Sequence, residues 1–464
     1  MKNNAPTFAF IGKPNNGKSS MISALTFDDR IEVSKSVGTT KKALQYSYYY
    51  KQKVVCNFFD TPGFEQAKKI VAFIKEQRSE YFGHGVLDAF ISQYSENAGM
   101  QKDIEIIRAV LASDFIVFVI DVSQRYNQNV IGYEFEILQF LKKPVLILLN
   151  KIQKQDYTQE WQEALHKYKL TNIHPINPLN SSYENIDTIY KNLYTVDATL
   201  QQKQFLDELL HLHRVHYQEK KSLSAKEIAG MIVEILQFES VMQFKEKEVD
   251  ETLKERALKK YQNGIYEIEK NGKNTVEQIW GYYQIKVLDE RAEIDAKESV
   301  NLGLTKNRLA IIGAGVGAIG SGAAVAPIAL FDGGISTAVA ATVGGLIGAK
   351  SAYVIGEKFA SYIISNHKII HKMDAKNYNA TFVLLKRSLE HLYRLIKHGH
   401  ANREVIVIPK NPDSWHFGTE WSFQRDEEKK IAAFHKSIVK DENTKKVEKE
   451  LCQFIENVID REIK

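Results

Sequence analysis

The sequence predicts an α/β domain with a mostly parallel six-stranded sheet, followed by a mainly α-helical domain. Over residues 1–195, short apolar runs typical of buried parallel strands alternate with helical patterns. After residue 196, long charged segments with helical periodicity replace them. The chain has 464 residues, which is more than one ordinary core accommodates. We therefore expect two domains, at residues 1–195 and 196–464.

Composition and charge narrow the class of protein. The chain is 44% hydrophobic and 26% charged, with a net charge of +5, and it has no long block of like charges. This gives no strong signal for nucleic-acid binding. Cys56 and Cys452 are too far apart in sequence to suggest a metal site, and so few cysteines fit a reducing compartment. The first ten residues lack the apolar stretch of a signal peptide. A cytoplasmic protein is expected.

The first motif is GKPNNGKSS at residues 12–20, which lies between an apolar run and a helical pattern. Its spacing, G-x-x-x-x-G-K-S, is typical of a phosphate-binding loop. Gly17 lets the backbone approach a phosphate, and the loop N–H groups form an anion-binding nest at a helix N-terminus. Lys18 reaches the β- and γ-phosphates, and the Ser19 hydroxyl ligates Mg²⁺. The sequence therefore predicts that the protein binds a nucleoside phosphate.

The second motif follows a predicted hairpin of two strands, Ala43–Tyr50 and Lys53–Phe59. It reads Asp-Thr-Pro-Gly, from Asp60 to Gly63. An acidic residue at the end of a strand beside a phosphate-binding loop is the expected second anchor for Mg²⁺, through water. The backbone N–H of Gly63 is expected to face the γ-phosphate.

Three further strands complete the expected sheet. Residues Phe115–Asp121 and Pro144–Leu149 are continuous apolar runs, as parallel strands buried on both faces require. The second run is followed by Asn-Lys-Ile-Gln, which begins at Asn150. A short strand, Ile173–Ile176, leads to Asn177.

In their order and spacing these motifs, with Gly-Thr-Thr at residues 38–40, resemble those of the Ras-like P-loop GTPases. More narrowly, residues 5–195 look like the bacterial Era branch and its tRNA-modifying relative. The resemblance implies GTP and GDP as ligands, Mg²⁺ as cofactor, and hydrolysis of GTP. It implies that Lys18, Thr40 and Gly63 act in catalysis and that Ser19, Thr40 (or Thr39) and Asp60 hold Mg²⁺. The nucleotide-binding residues that it implies are Gly12, Asn15, Asn16, Gly17, Lys18, Ser19, Ser20, Asn150, Lys151, Gln153, Asn177 and Leu179.

Potassium is a further implied ion. In potassium-dependent members of the family, the asparagine matched by Asn15 helps to hold K⁺ beside the phosphates, where the ion replaces an arginine finger. The alternative interpretation makes Asn15 an ordinary loop residue. The sequence leaves both open.

Three positions depart from the family pattern. Phe64 stands where Ras-type enzymes carry a water-positioning glutamine, so slow hydrolysis is expected. Gln153 replaces the aspartate that accepts from two donors of guanine, and an imperfect match of buried polar groups costs about 1–3 kcal/mol. Asp156 would substitute for it only in a rearranged loop. Pro178 removes one backbone N–H from the last base-binding loop.

An insertion of helical pattern occupies residues 64–114, directly after the Asp-Thr-Pro-Gly motif. Two interpretations stay open. It reports the nucleotide state to a partner, or it passively covers the sheet.

The C-terminal half contains a Gly/Ala-rich segment, residues 309–349, in which Asp332 is the one charged residue. Its two arms form either a hairpin that enters a membrane from the cytoplasmic side or a close-packed helical hairpin inside the domain. The joined architecture also resembles an uncharacterised bacterial family with a GTPase domain and a Gly/Ala-rich helical domain. We also predict that Ser224 and Glu227 form a capping box opening a helix, and that His211, His213 and His216 lie on the surface.

Two functions remain in competition at this stage. The first is a slow GTPase that works as a molecular switch, with K⁺ stimulation and a nucleotide-dependent dimer as further expectations. The second is a nucleotide-gated scaffold, or a membrane-associated interaction protein, with little or no hydrolysis. The protein partner is not identified by the sequence. If residues 309–349 enter a membrane, we expect the protein at the inner membrane, either bound peripherally or anchored through the hairpin.

Overall fold

We analysed a computed structural model of the chain. It describes residues 5–30, 43–77, 79–152, 154–180, 183–194, 198–245, 248–289, 359–409, 412–418 and 420–463. These parts divide into two compact units. The first is Met1–Glu219 with Gly281–Gln284 and Ile396–Arg403, and the second is Lys220–Trp280, Ile285–Leu395 and Glu404–Lys464. The domain boundary expected at residue 195 stays a prediction.

A six-stranded sheet forms the centre of the first unit. Its strands are β1 (Thr7–Ile11), β2 (Leu44–Tyr50), β3 (Lys53–Asp60), β4 (Phe115–Asp121), β5 (Val145–Asn150) and β6 (Ile173–Ile176). The spatial order is β2-β3-β1-β4-β5-β6. All neighbours are parallel except the β2–β3 hairpin, where Leu44 lies opposite Asp60. The mostly parallel six-stranded sheet predicted from the sequence is therefore confirmed.

Helices cover both faces of this sheet. They are α1 (Lys18–Thr26), α2 (Ala67–Gln77), α3 (Gly85–Tyr94), α4 (Gln101–Ala112), α5 (Gln128–Leu141), α6 (Thr158–Lys167) and α7 (Tyr183–Tyr194). One apolar core joins α2–α6 to the sheet, and a second joins α1 and α7 to its other face. Strand β4 is buried along its whole length because it lies between the two cores. The insertion at residues 64–114 is thus helical and contributes α2, α3 and α4.

The rest of the chain is mostly helical, as predicted. Its helices are α8 (Leu200–Gln237), α9 (Glu251–Ile279), α10 (Asn379–Lys397), α11 (Arg425–Val439) and α12 (Thr444–Glu462). Strands β7 (Ser240–Gln243), β9 (Ala360–Ser365) and β10 (Lys368–Met373) form an antiparallel sheet. Strands β8 (Val287–Asp289) and β11 (Ile406–Ile408) pair in parallel.

Two local predictions were wrong. Ser224 does not open a helix, because α8 runs unbroken through it, and its hydroxyl donates to the Lys220 carbonyl and accepts from Trp280 Nε1. His213 is fully buried rather than on the surface, with its ring stacked 5.4 Å from Phe27 and 4.8 Å from Tyr183. An aromatic environment, which the spacing of three histidines does not reveal, accounts for its burial.

Among the described residues, none of the helices is long and apolar enough to cross a membrane. The Gly/Ala-rich segment at 309–349 lies outside the described residues, so its membrane and packing interpretations stay predictions. The same holds for Thr39 and Thr40.

Candidate nucleotide-binding site

The candidate site lies at the carboxyl edge of the central sheet. Strands β1, β3 and β5 are parallel and end at Ile11, Asp60 and Asn150, so the residues that follow them meet at one edge. The chain continues from β3 on one side of β1 to β4 on the other. Open α/β sheets bind ligands in the crevice at such a reversal of strand order.

Two glycines give the phosphate-binding loop its backbone path. Gly12 has φ 134°, and a Cβ there would lie 2.3 Å from the Val119 carbonyl oxygen of the neighbouring strand. Gly17 has φ 93° and leads into α1, and a Cβ there would lie 2.4 Å from Asn150 Nδ2. Asn15 occupies the left-handed region at φ 65°, which asparagine tolerates, and is exposed at the loop tip. The loop conformation therefore requires glycine at both positions.

Lys18, the first residue of α1, is folded back over the loop. Its Nζ donates to the carbonyl oxygens of Gly12 at 3.0 Å and Lys13 at 2.9 Å. Burial lowers the pKa of Lys18 to about 8, and the nearby carboxylates of Asp60 and Glu134 oppose this shift. An ammonium has three donors, so these two bonds orient the group and leave one donor for an incoming phosphate.

Ser19 and Asp60 meet at the predicted magnesium site. The Ser19 hydroxyl donates to Asp60 Oδ2 at 2.5 Å. Within the described residues, Asp60 Oδ1 is buried and has no hydrogen-bond partner. Burial raises the pKa of Asp60, although Ser19 and Lys18 lower it. A hydroxyl beside a buried carboxylate with an unused oxygen fits the oxygen ligands that Mg²⁺ takes in P-loop proteins. Ser20 follows in the first turn of α1.

Gly63 lies directly beside the phosphate-binding loop. A Cβ at this position would lie 2.3 Å from Cδ of Pro14, so glycine allows the two loops to come together. The hydroxyl of Thr61 donates to the Phe10 carbonyl at 2.7 Å and ties this segment to β1. Phe64, the next residue after the motif, is partly buried and packs against the core. Its ring has no group that positions a water molecule.

The predicted base-binding residues are partly assembled. Asn150 is buried and its Nδ2 donates to the Asn16 carbonyl at 2.9 Å, while Asn16 Nδ2 donates to the Val119 carbonyl at 2.8 Å. Lys151 is exposed and forms an ion pair with Asp156 at 2.7 Å. This pairing lowers the pKa of Asp156. Gln153 lies outside the described residues.

The last of the loops predicted to bind the base is a short 3-10 turn, Pro178–Asn180, that follows β6. Asn177 is exposed, and its Oδ1 accepts from the Leu179 backbone N–H at 3.0 Å, so the asparagine stabilises the turn. Leu179 is exposed, with 42% of its surface accessible.

The insertion is tied to the segment after Gly63 by one buried carboxylate. Asp103, in the first turn of α4, accepts from the backbone N–H groups of Glu65 at 3.1 Å and Gln66 at 3.0 Å. An ion pair of 2.6 Å between Lys102 and Glu65 lies next to these bonds. Asp103 thereby satisfies N–H groups just before α2, where the helix itself provides no acceptors.

Glu134 is a residue of this region that the motifs do not reveal. It is buried on α5, and Oε2 has no hydrogen-bond partner among the described residues. Burial raises its pKa to about 8, against the opposing effect of Lys13 and Lys18. One signal for it exists in the sequence. Glu134 falls at helical spacing between Ile131 and Leu138, both buried, so a charged residue stands in an apolar stripe.

We expect Glu134→Gln to remove a pH dependence of stability. A carboxyl whose folded-state pKa is raised stabilises the fold fully below its unfolded pKa, here near 4.5, and this contribution is lost as pH rises towards about 8. The free energy of unfolding of the variant minus that of wild type should therefore be more positive at pH 8 than at pH 4.5. Urea unfolding at both pH values measures the difference. Glu136→Gln is the control, because Glu136 is half-buried on the same helix and pairs with Lys75. If the difference in unfolding free energy between Glu134→Gln and wild type is the same at both pH values, the raised pKa of Glu134 is contradicted.

Two protein-family models match this chain, one in its N-terminal part and one in its C-terminal part. Residues 7–151 match the model described as 50S ribosome-binding GTPase. Residues 162–458, more than half of the chain, match the model described as a domain of unknown function, DUF3482. The chain belongs to the DUF3482 family. Its N-terminal domain is an Era-like P-loop domain of the GTP-binding GTPase class, joined to a separate C-terminal domain.

Individual relatives of this DUF3482 protein are GTPases. GTPase Der of Azobacteroides pseudotrichonymphae is 32% identical over 146 residues, which are 32% of this chain and 28% of the relative. GTPase Der of Nitratiruptor is 27% identical over 227 residues, 46% and 43% of the two chains. The tRNA modification GTPase MnmE of Bacillus thuringiensis is 35% identical over 112 residues, 24% of each. The DUF3482 chain thus spans less than half the length of these relatives.

Solved structures of Era are also similar to the DUF3482 chain. One is Era in complex with MgGDPNP and part of 16S ribosomal RNA, with 20% identity and a TM-score of 0.29, covering 60% of this chain and 89% of that one. Another is Aquifex aeolicus Era bound to GDP.AlF4⁻, with 20% identity and a TM-score of 0.28, covering 60% and 90%.

Proposed function

We propose that this protein is a slow, Mg²⁺-dependent GTPase that acts as a molecular switch. The observation that carries the proposal is the pairing of Ser19 with Asp60 beside Lys18, at the carboxyl edge of the sheet. This arrangement supplies an ammonium, a hydroxyl and a carboxylate to one small region. Phosphoryl transfer requires positioned positive charge more than covalent chemistry by the protein. The family match of residues 7–151 supports the same conclusion.

In this proposal each residue has one task. The backbone of Asn15–Ser20 wraps the α- and β-phosphates, and Lys18 neutralises charge that develops on the γ-phosphate during in-line attack by water. Gly63 donates its backbone N–H to the γ-phosphate, and Thr40 completes the metal site when GTP is bound. Mg²⁺, when held by Ser19, Thr40 and Asp60, supplies further stabilisation of the phosphate charge.

Slow turnover follows from the position of Phe64. A water molecule that attacks the γ-phosphate needs a polar group to orient it, and the partly buried Phe64 provides none. Asn15, exposed at the loop tip, is the residue proposed to help hold K⁺ as a substitute source of positive charge. The insertion α2–α4 is the proposed reporter of nucleotide state, since Asp103 binds the backbone just after Gly63 and Phe64.

The rival function is a nucleotide-gated scaffold without useful turnover. One observation favours it: the Phe64 side chain has no polar group that could orient an attacking water molecule. Hydrolysis, rather than binding, separates the two functions.

The test is a binding and turnover panel on the full-length protein, with GTP, ATP and XTP and Mg²⁺, each in K⁺ and in Na⁺. We expect tight binding of GTP and slow phosphate release that is faster in K⁺. Bound GTP that stays intact for hours in both salts would favour the scaffold. Equal binding of the three nucleotides would contradict guanine specificity.

A further inference from the structure

Two short segments from the C-terminal half of the sequence belong to the first unit. They are Gly281–Gln284, just after α9, and Ile396–Arg403, at the end of α10. We call them together the clasp. Both lie against the part of the domain between the phosphate-binding helix α1 and the base-binding turn Pro178–Asn180. Neither segment carries a nucleotide-binding motif.

The first clasp segment binds the chain just beyond α1 through Asp29. The Asp29 carboxylate is fully buried and accepts from the backbone N–H groups of Tyr283 at 3.0 Å and Gln284 at 2.8 Å. The Asp29 N–H donates to the Gly281 carbonyl at 3.3 Å. Gly281 has φ 82°, and a Cβ there would lie 2.0 Å from the Phe27 carbonyl oxygen. These residues form a close backbone contact that depends on glycine.

The second clasp segment contacts α1 and the base-binding turn at once. The Ser23 hydroxyl, buried in α1, lies 2.8 Å from the Asp28 carbonyl oxygen and 3.2 Å from that of His400, and its one hydrogen is shared between these two acceptors. The His400 ring packs edge-on against Phe27. One residue earlier, Gly399 lies against the turn. A Cβ on Gly399 would lie 2.7 Å from the carbonyl oxygens of both Pro178 and Leu179. The base-binding turn therefore rests on the backbone of residue 399.

The two clasp segments also hold each other. The ring of Tyr282 stacks on His400 at 4.3 Å, and its hydroxyl donates to the His398 carbonyl. The Arg403 guanidinium donates to the Asp29 carbonyl. Within the turn, the Leu179 backbone N–H donates to Asn177 Oδ1. Because Asp29, Tyr282 and Arg403 hold the clasp in place, an added side-chain atom at residue 399 is expected to displace the turn against which it lies.

We propose that the clasp positions the base-binding turn, so that Gly399 is a positioning residue for guanine recognition. The inference rests on the proposed function and deepens it. Helices α9 and α10 lead directly into the clasp, and the C-terminal half thus takes part in nucleotide selectivity. Lys18 and Ser19, the residues proposed to bind the phosphates and Mg²⁺, stand in the first turn of α1 and bond to Gly12 and Asp60 rather than to the clasp.

The experiment compares the dissociation constants of GDP and ADP for the full-length protein with Mg²⁺. Both nucleotides share the phosphate contacts, so their ratio reports the base side alone. For Gly399→Ala we expect the GDP constant to rise about tenfold and the ADP constant to stay unchanged, as imperfect polar contacts to a base would cause. Ser23→Ala removes the hydroxyl shared by the Asp28 and His400 carbonyls and thereby loosens the clasp. It should shift the ratio in the same direction, and it replaces Gly399→Ala in the test if that variant does not fold.

The matched control is Gly230→Ala in α8, where the nearest atom to a Cβ is Glu448 Oε1 at an ordinary 3.7 Å. It should leave both constants unchanged. If wild type prefers GDP but Gly399→Ala and Ser23→Ala keep that preference, the inference is overturned and the proposed function stands. A general loss of stability with an unchanged ratio also overturns it. A wild-type protein that binds neither nucleotide overturns both.

Discussion

Lys18→Ala is expected to lower GTP hydrolysis by roughly 10²- to 10³-fold, because one aligned donor to developing phosphate charge contributes that much. The structure makes the lysine hard to replace. Its Nζ donates hydrogen bonds to the carbonyl oxygens of Gly12 at 3.0 Å and Lys13 at 2.9 Å. The positive charge is therefore positioned before the substrate binds. The measurement is phosphate release by full-length protein with Mg²⁺ at saturating GTP.

The matched control for this prediction is Lys449→Ala, which removes an exposed lysine of α12 and should leave the rate unchanged. Thermal unfolding of both variants separates loss of chemistry from loss of fold. Turnover that survives in Lys18→Ala would mean that hydrolysis occurs elsewhere, and the proposed GTPase site would have to be abandoned.

Glu269→Gln is expected to destabilise the second unit by about 3–5 kcal/mol, the usual consequence of breaking a buried ion pair from one side. Glu269 in α9 is 3% exposed. Both of its oxygens accept from Arg387 Nη2 of α10, at 2.6 and 2.7 Å, and Lys273 lies 2.6 Å away. A neutral amide would leave two cations without their shared counter-charge in a poorly solvated site.

Urea unfolding tests this prediction through tryptophan fluorescence. Three of the four tryptophans, Trp280, Trp415 and Trp421, belong to the second unit and report its transition. The control is Glu267→Gln, two residues earlier on α9, where an exposed carboxylate faces Lys270 at 3.8 Å. An exposed pair of this kind contributes at most about 1 kcal/mol. Equal effects of the two substitutions would contradict the importance of burial.

The sheet and the phosphate-binding loop could be predicted because their signals are local. Strand β4 reads as a continuous apolar run since both of its faces are buried, and Gly12 and Gly17 stand where the loop needs glycine. The C-terminal half gave weaker signals. Ser224 and Glu227 have the spacing of a capping box, yet packing keeps α8 unbroken there, because Trp280 bonds the Ser224 hydroxyl inside the unit.

Other features depend on distant contacts. His213 is buried because Phe27 and Tyr183 stack on it, and these partners are remote in sequence. Asp103 binds the backbone of Glu65 and Gln66 across more than thirty residues of insertion, so no motif marks it. The position of Glu134 in an apolar helical stripe could have been recognised from the sequence. Its raised pKa could not, because that depends on burial in the folded structure.

The sequence by itself determined the α/β sheet and the glycine-rich loop that leads into Lys18, and it predicted Ser19 and Asp60 as the residues that hold Mg²⁺. The strands and the loop depend on residue types at fixed spacing within one element, and Ser19 and Asp60 each belong to a local motif, although their contact joins two elements. The tertiary structure alone decided that residues 281–284 and 396–403 belong to the nucleotide-binding unit. Their contacts are made by backbone groups and by close approach at Gly281 and Gly399, and such contacts leave no periodicity or motif in a sequence.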